Sequence, residues 1–243
     1  MLNAEQQLPE YTVRVSTRAR RVRLRVDASG LTVVVPRGFD TRRIEAIVRE
    51  RRAWAIRAME GMSARTEALA ALRAQPLPSH IDIAATGERL AVTYRTTGAS
   101  GVRAIETRDG VLSVTGAVHD EDACREALRR WLTRAATVRL GELTRGLARE
   151  HGLRLSRIEV RAQRRRWGSC SAAGVIRLNR ALVLMPPELA RYVVMHELVH
   201  TLRMDHSPAF WMELERREPH ARALARRMRE AWRLLPGWAQ DQE

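Results

Sequence analysis

The chain has 243 residues, of which 45% are hydrophobic, and its formal net charge is +15. This length suits one large domain or two modest ones, and the hydrophobic content excludes a chain that is disordered throughout. No apolar run approaches the roughly 18 residues of a membrane span, and the Arg-rich N-terminal region lacks the apolar core of a signal peptide. We therefore expect a soluble, cytoplasmic protein without a membrane partner.

The positive charge comes from arginine alone. All 43 basic residues are Arg, and Asn occurs only at positions 3 and 179, as a GC-rich coding bias would produce. Charge by itself is therefore a weak indication of a nucleic-acid partner. The two cysteines, Cys124 and Cys170, lie far apart in the sequence and lack the spacing of a thiolate metal site, so the sequence does not indicate a disulfide framework.

The N-terminal region alternates apolar and polar residues in three short runs, as strands of a half-buried sheet do. The runs are Tyr11–Val15, Val22–Val26 and Leu31–Val35. With a turn at residues 28–30, they predict a small antiparallel meander. A helix follows from Asp40 or Thr41 to about Met59, and an Ala-rich helical piece leads to a Pro-containing seam at 75–79.

Four further runs, separated by Gly-containing turns, predict more strands at about 80–85, 90–95, 102–107 and 111–115. From Glu121 to about His151, apolar residues recur at intervals of three and four, which predicts a long amphipathic helix that stops at Gly152.

The C-terminal region mixes short strands and helices. Strand patterns occupy Ile158–Arg161, Trp167–Cys170 and Val175–Leu178, and helices are predicted from Pro187 to near Met204, from Ser207 to a break at Pro219, and from about Ala221 to Leu235.

The helix that begins at Pro187 contains the sequence His196-Glu-Leu-Val-His200. Positions i and i+4 lie one turn apart on a helix, so His196 and His200 can present nitrogen atoms to one metal ion, with Glu197 beside them to act on a water molecule. This pattern predicts a divalent metal, most simply Zn²⁺, with Glu197 as the general base of a hydrolytic reaction.

A third protein ligand is expected downstream. His206 stands six residues after His200, the spacing found in metzincins, although Arg203 replaces the glycine with which those enzymes end the helix. A turn at Met204-Asp205 can replace that glycine if Asp205 takes a left-handed conformation. The competing ligands are carboxylates of the following helix, namely Glu213, Glu215 and Glu218.

Several runs of the sequence resemble the YgjP-like family of zinc metallopeptidases, to which the SprT-like and WLM groups are related. The runs are Arg164-Arg-Arg-Trp-Gly-Ser-Cys-Ser171, Ile176-Arg-Leu-Asn179, Tyr192-Val-Val-Met-His-Glu-Leu-Val-His200 and His206-Ser-Pro-Ala-Phe-Trp211, together with Arg18–Val26 and Val33–Pro36 nearer the N-terminus. The resemblance implies a zincin core in which the third ligand is His206.

The strand and helix patterns together with the resemblance predict an α+β fold, with an antiparallel β-rich N-terminal region ahead of a compact zincin-like core that carries the His196–His200 helix. The expected divisions are residues 1–75 (meander plus helix), 76–118 (additional strands) and 119–243 (catalytic core), or one continuous domain.

Four further residues are candidates for substrate binding. Trp167 belongs to a strand that the resemblance places near the cleft, where an extended peptide can add to its edge, although core packing explains this Trp equally well. Tyr192 lies one turn before His196 and is either an oxyanion donor or a packing residue. The remaining candidates are Arg166 and Asn179.

Three functions of different classes fit these features. The leading hypothesis is a zinc peptidase acting on peptides or proteins. A second hypothesis is a metal-dependent nucleotide phosphoanhydride hydrolase, in which residues 164–166 neutralise phosphate charge. A third is a protease module recruited to nucleic acid through its Arg-rich surface.

Overall fold

The computed structural model describes residues 8–27, 29–73 and 75–240. The predicted turn at residues 28–30 and the predicted domain limits at residues 1 and 243 therefore fall partly or wholly outside the described residues. The fold is mixed α+β, as expected, and the chain divides into two compact units, Met1–Ala74 and Gln75–Glu243.

The first unit combines a three-stranded sheet with two helices. Its elements are β1 (Tyr11–Ser16), β2 (Arg23–Asp27), β3 (Gly30–Pro36), a 3₁₀ turn (Thr41–Arg43), α1 (Ile44–Glu50) and α2 (Arg52–Arg73). Asp40 caps the 3₁₀ turn by accepting a hydrogen bond from the backbone N–H of Arg42. The helical region extends well past Met59 because the Ala-rich sequence that follows favours helix.

The prediction of an antiparallel meander is wrong. The strand order is β1-β3-β2, and β1 pairs parallel with β3 while β2 pairs antiparallel with it. A tight turn, in which Gly30 has φ +111°, joins β2 to β3 as a hairpin. The longer connection at 17–22 holds no Asn-Gly or Asp-Gly turn, so β1 is free to add to the other side of β3.

The second unit contains two more sheets and four helices among its described residues. Its elements are β4 (His80–Ile83), β5 (Glu88–Thr96), β6 (Arg103–Glu106), β7 (Val111–Gly116), α3 (Glu121–Glu150), β8 (Arg157–Arg161), β9 (Gly168–Cys170), β10 (Val175–Asn179), α4 (Pro187–Val199), α5 (Pro208–Arg217) and α6 (Ala221–Glu230). Short 3₁₀ segments follow β10 and α6.

The same strand arrangement recurs in all three sheets. The sheet orders of the second unit are β4-β5-β7-β6 and β8-β10-β9. Each sheet contains a trio of consecutive strands, namely β1–β3, β5–β7 or β8–β10. In each trio the last strand pairs parallel with the first and antiparallel with the second. This arrangement leaves β9 at the edge of its sheet.

One hydrophobic core spans the second unit. It contains inward-facing residues of β4–β7, of β10 and of the helices, including Leu112, Leu128, Trp131, Ile176 and Leu198. Because α4 is buried around most of its circumference, its polar residues must be satisfied locally.

Among the residues described, no helix is both long enough and apolar enough to cross a membrane.

Candidate metal centre

Helix α4 ends one turn earlier than the sequence predicts, at Val199 rather than near Met204. The chain turns back because local groups satisfy the last carbonyls of the helix. The Val199 carbonyl accepts from the N–H of Leu202 and of Arg203, and the hydroxyl of Thr201 donates to the Leu198 carbonyl at 2.7 Å.

The chain reversal does not use a left-handed residue at Asp205. No described residue other than glycine has a positive φ. Asp205 instead accepts hydrogen bonds from the backbone N–H and the hydroxyl of Ser207, at 3.4 and 2.8 Å. This Asx-type turn leads directly into Pro208 at the start of α5.

The turn brings His206 back to the two histidines of α4. The Nε2 atom of His196 lies 3.1 Å from Nε2 of His206 and 3.2 Å from Nε2 of His200. Three nitrogens bound tetrahedrally to one Zn²⁺ at the usual bond length are roughly 3.3 Å apart. Among the described residues, these histidines form the group of His, Cys, Asp or Glu side chains able to hold a metal ion.

Hydrogen bonds on the opposite ring nitrogens orient two of these histidines. His200 Nδ1 lies 2.9 Å from the carbonyl oxygen of Arg203, an acceptor, so this nitrogen carries the proton and donates it. Nε2 of the neutral ring then has its lone pair free, as a metal ligand requires. His196 Nδ1 lies 3.5 Å from the hydroxyl of Tyr192.

The environment favours neutral imidazoles. Burial, followed by the neighbouring His200 and His206, lowers the pKa of His196 to about 3. Burial is also the main cause that lowers the pKa of His200. Neutral imidazole is the form that binds metal, so this cluster is suited to hold a cation near neutral pH.

Glu197 lies beside the cluster in an apolar setting. The residue is 6% exposed, and its Oε2 is buried without a hydrogen-bond partner. Burial raises the pKa of this carboxyl to about 8. A carboxyl with a pKa near neutrality is suited to accept and return a proton, and a cation beside it would favour the carboxylate form.

The carboxylates that compete as third ligands are occupied elsewhere. Glu213 pairs with Arg216 and Arg217, Glu215 pairs with Arg222, and Glu218 pairs with Arg191. None of the three carboxylates belongs to the cluster formed by His196, His200 and His206. The geometry therefore favours His206 as the third ligand.

A cleft of about 280 Å³ opens over the histidines and Glu197. Its remaining wall consists of Arg166, the three residues of β9 and Met204. Burial raises the pKa of the Cys170 thiol, and the nearby Glu197 raises it further, so this sulfur stays protonated. A neutral thiol is a poor metal ligand.

The four candidate substrate-binding residues lie in different surroundings. Arg166 is exposed and lines the cleft. Tyr192 is 6% exposed, and its hydroxyl is directed to His196. Trp167 packs against the core and stacks on Trp232, with ring centroids 3.9 Å apart. The structure thus places Arg166 in the cleft wall. It places Tyr192 beside Nδ1 of His196, the ring nitrogen that faces away from the other two histidines.

Asn179 is buried and holds the segment that precedes β9. Its amide nitrogen donates to the carbonyls of Gln163 and Arg166, at 2.6 and 3.0 Å. Its side-chain oxygen accepts from the N–H of Ala181 at 3.0 Å. These bonds leave Asn179 turned toward backbone, where it fixes the path of the chain into the cleft wall.

Two residues in contact with the histidines or with Glu197 were not identified from the sequence. Phe210 is fully buried, and its ring centroid lies 4.6–4.9 Å from those of His196, His200 and His206. Gly168 faces Glu197 so closely that a Cβ atom would lie 2.6 Å from Oε1 of that carboxyl. The signal for Phe210 was its position in the first turn of the helix after His206, whereas no local signal marks Gly168.

Comparisons with known proteins point to one protein family. The family model described as YgjP-like, metallopeptidase domain, matches residues 20–231. The solved metallopeptidase zymogen of Pyrococcus abyssi abylysin is 23% identical with a TM-score of 0.36. The match covers 39% of this chain and 95% of that one. The solved metallopeptidase zymogen of Methanocaldococcus jannaschii jannalysin is 20% identical with a TM-score of 0.35, and the match covers 38% of this chain and 96% of that one. No curated protein matches the chain.

Proposed function

Because the chain belongs to the YgjP-like metallopeptidase family, we propose that it is a zinc-dependent peptidase whose ion is held by His196, His200 and His206. The observation that carries this proposal is the convergence of three imidazole Nε2 atoms beside a buried carboxyl that has a free oxygen. Three protein ligands leave a coordination position open, as in catalytic rather than structural zinc sites.

When bound, a zinc ion would acidify a water molecule and polarise the carbonyl of the scissile bond. Glu197 accepts the proton from the attacking water and passes it to the amine that leaves. Its elevated pKa makes both transfers feasible near neutral pH. The apolar surroundings keep bulk water from competing for that proton.

Strand β9 supplies a place for an extended peptide. Hydrogen bonds from Asn179 N to Trp167 O and from Ser171 N to Val175 O set the alternation of the antiparallel pair with β10. Under this alternation, the backbone N–H and C=O groups of Gly168 and Cys170 point away from β10 toward the free edge. A substrate strand that bonds to these groups lies along the cleft over the histidines.

Peptide hydrolysis is favoured over hydrolysis of a nucleotide phosphoanhydride. A triphosphate substrate needs several cations that converge on it. Of residues 164–166, Arg166 lines the cleft, whereas Arg164 and Arg165 do not. A backbone edge beside a metal centre suits an extended chain better than a compact polyphosphate.

The test compares zinc content and substrate turnover in the same preparations. Glu197→Gln should keep one equivalent of zinc and lose peptide cleavage by about a thousandfold or more, because the ligands remain while the base is gone. His206→Ala should lose the zinc. His119→Ala, which changes an exposed histidine outside the cluster, should retain both zinc and cleavage.

Two outcomes would contradict the proposal. Undiminished peptide cleavage by Glu197→Gln would remove Glu197 from the mechanism. Turnover of nucleoside triphosphates, but not of peptides, that disappears in Glu197→Gln would keep the metal centre and change its substrate class.

A further inference from the structure

The open face of the first unit's sheet is strongly basic. Side chains alternate across a strand, and Leu31, Val33 and Val35 of β3 point into the core of this unit. The paired strands therefore turn Arg14 of β1, and Arg23 and Arg25 of β2, to the opposite face.

The register places these arginines in two adjacent rows. One row reads Arg14, Val34 and Arg23 across the three strands, and the next reads Thr12, Thr32 and Arg25. With strands about 4.8 Å apart, Arg14 and Arg23 start roughly 10 Å from each other on either side of Val34. The hydroxyls of Thr12 and Thr32 lie 3.1 Å apart between the charged side chains.

The positive charge on and beside this face lacks paired carboxylates. Between Tyr11 and Val26 the sequence has six arginines and no acidic residue, and all six are exposed. They are Arg14, Arg18, Arg20, Arg21, Arg23 and Arg25. Within the described part of the chain, no side-chain nitrogen of these six forms an ion pair or a hydrogen bond. Asp27, at the end of β2, directs its carboxylate to the N–H and hydroxyl of Ser29.

Several arginines elsewhere in the chain pair with carboxylates. Arg139, for example, bridges Glu88 and Glu106, and Arg217 pairs with Glu213. A coding bias toward Arg explains the residue type in both units. It does not explain why six exposed arginines, none of which forms an ion pair with a described residue, lie on and beside one sheet face. Neighbouring like charges on a sheet disfavour folding, so this face gains stability when an anion binds it.

We infer that this sheet face is a binding surface for the sugar-phosphate backbone of nucleic acid. Guanidinium groups bind phosphate oxygens in bidentate fashion, and Thr hydroxyls can donate to the same oxygens. The two rows contain no aromatic side chain on which a base would stack, so binding depends on charge and is independent of base sequence. The inference concerns the first unit and does not depend on peptidase activity.

The test measures binding of the full chain to mixed-sequence duplex DNA and to single-stranded RNA, by fluorescence anisotropy over a range of salt concentrations. Each phosphate contact contributes about 0.9 to the slope of log affinity against log salt for duplex DNA. The variant Arg14→Gln/Arg23→Gln/Arg25→Gln should therefore reduce that slope by about two to three. Its affinity should fall by about tenfold or more at low salt.

The matched control removes the same charge from the same unit. In Arg49→Gln/Arg51→Gln/Arg57→Gln, three exposed arginines of α1, α2 and the turn between them are changed, of which Arg49 and Arg51 already pair with Glu45 and Glu50. This control variant should keep most of the wild-type slope of log affinity against log salt. The single variants Arg14→Gln and Arg25→Gln should each lower the slope by about one, which provides the answer if the triple variant does not fold.

Equal losses in the triple variant and its control would overturn the inference, because net charge alone would then explain binding. Absence of binding to both nucleic acids at low salt would also overturn it. So would tighter binding to vesicles of anionic phospholipid than to either nucleic acid, since the face would then serve a membrane surface. Preference for duplex or for single strand identifies the natural form of the ligand.

Discussion

A Cβ atom on Gly168 would lie 2.6 Å from Oε1 of Glu197, and less than 3 Å from Cγ and Cδ of the same side chain. The cleft wall and the side chain of Glu197 are thus in contact, with no room for even a methyl group. Gly168→Ala should displace Glu197 and lower peptide cleavage by about tenfold or more, while the three histidines keep their zinc. Kinetics and metal content of the same preparation measure both effects.

Gly146→Ala is the matched control for Gly168→Ala. Gly146 lies in α3, and a Cβ built there meets no atom within 4 Å, so this change should leave cleavage unaffected. Full activity in Gly168→Ala would mean that Glu197 moves aside at no cost and that the contact does not constrain the base.

Phe210 should control metal affinity without being a ligand. Its ring stacks on His200 and meets His196 and His206 edge-on. Phe210→Leu leaves space in which the imidazoles tilt, so we expect zinc affinity to fall by about tenfold to a hundredfold, the loss typical of altered ligand support. Competition with a chelator measures this affinity.

Leu140→Ala serves as the control for Phe210→Leu, because Leu140 is equally buried but lies in α3. It should lower the free energy of unfolding by about 2 to 5 kcal/mol and leave zinc affinity unchanged. If both variants lose zinc to the same extent, general destabilisation rather than support of the imidazoles explains the loss.

Asn179 should contribute to stability and to activity together. Asn179→Ala leaves the carbonyls of Gln163 and Arg166 and the N–H of Ala181 without their side-chain partner, at a cost of about 2 to 4 kcal/mol in unfolding free energy. The chain leading into β9 should then loosen and peptide cleavage should decline. Urea denaturation and KM measurements test the two effects.

Thr144→Ala separates the two roles of Asn179. Thr144 is also buried, and its hydroxyl donates to the Leu140 carbonyl at 2.6 Å, away from the cleft. This variant should lose about 1 kcal/mol of stability and no activity. An Asn179→Ala enzyme that is less stable but has unchanged KM and kcat would show that the segment before β9 does not position substrate.

Acid should weaken the second unit through Glu88. Hydrogen bonds from Arg139 are the main cause that lowers the pKa of Glu88 below its ordinary value of 4.5. A carboxyl whose folded pKa is depressed stabilises the fold above its unfolded pKa, and this contribution disappears as the pH falls through the folded pKa. The unfolding free energy of wild type should exceed that of Glu88→Gln by about 1 kcal/mol at neutral pH.

This difference should shrink below about pH 4.5, as thermal unfolding at a series of pH values would show. Glu142→Gln changes an exposed glutamate of α3 and should follow wild type throughout. A difference between wild type and Glu88→Gln that stays constant down to pH 3 would exclude the charge of Glu88 as its origin.

The sequence predicted those features that depend on local spacing. Two histidines four residues apart on a helix must share a face, so their proximity followed from the pattern together with the apolar residues around it. The strands were located because alternation is also local, and the membership in a metallopeptidase family followed from short motifs.

Features that depend on distant residues escaped prediction. Strand β1 can pair with the free edge of β2 or with that of β3 once the β2–β3 hairpin has formed. No local run of residues indicates which of the two edges it takes. Gly168 and Glu197 are 29 positions apart, so their contact exists only once β9 lies against α4. The early end of α4 depends on the Val199 carbonyl and the Thr201 hydroxyl, and these two groups form no recognisable sequence pattern.

The repeated strand arrangement also has a consequence for the order in which the chain folds. In each trio the last two strands form a hairpin of nearby residues, whereas the parallel partners are 18 to 20 positions apart, as in Tyr11 with Leu31, Ala91 with Val111 and Arg157 with Val175. Short loops close faster and lose less chain entropy than long ones. Each hairpin should therefore form first and act as a template. The β9–β10 hairpin, whose strand β9 forms one wall of the cleft, should then be among the earliest native structures.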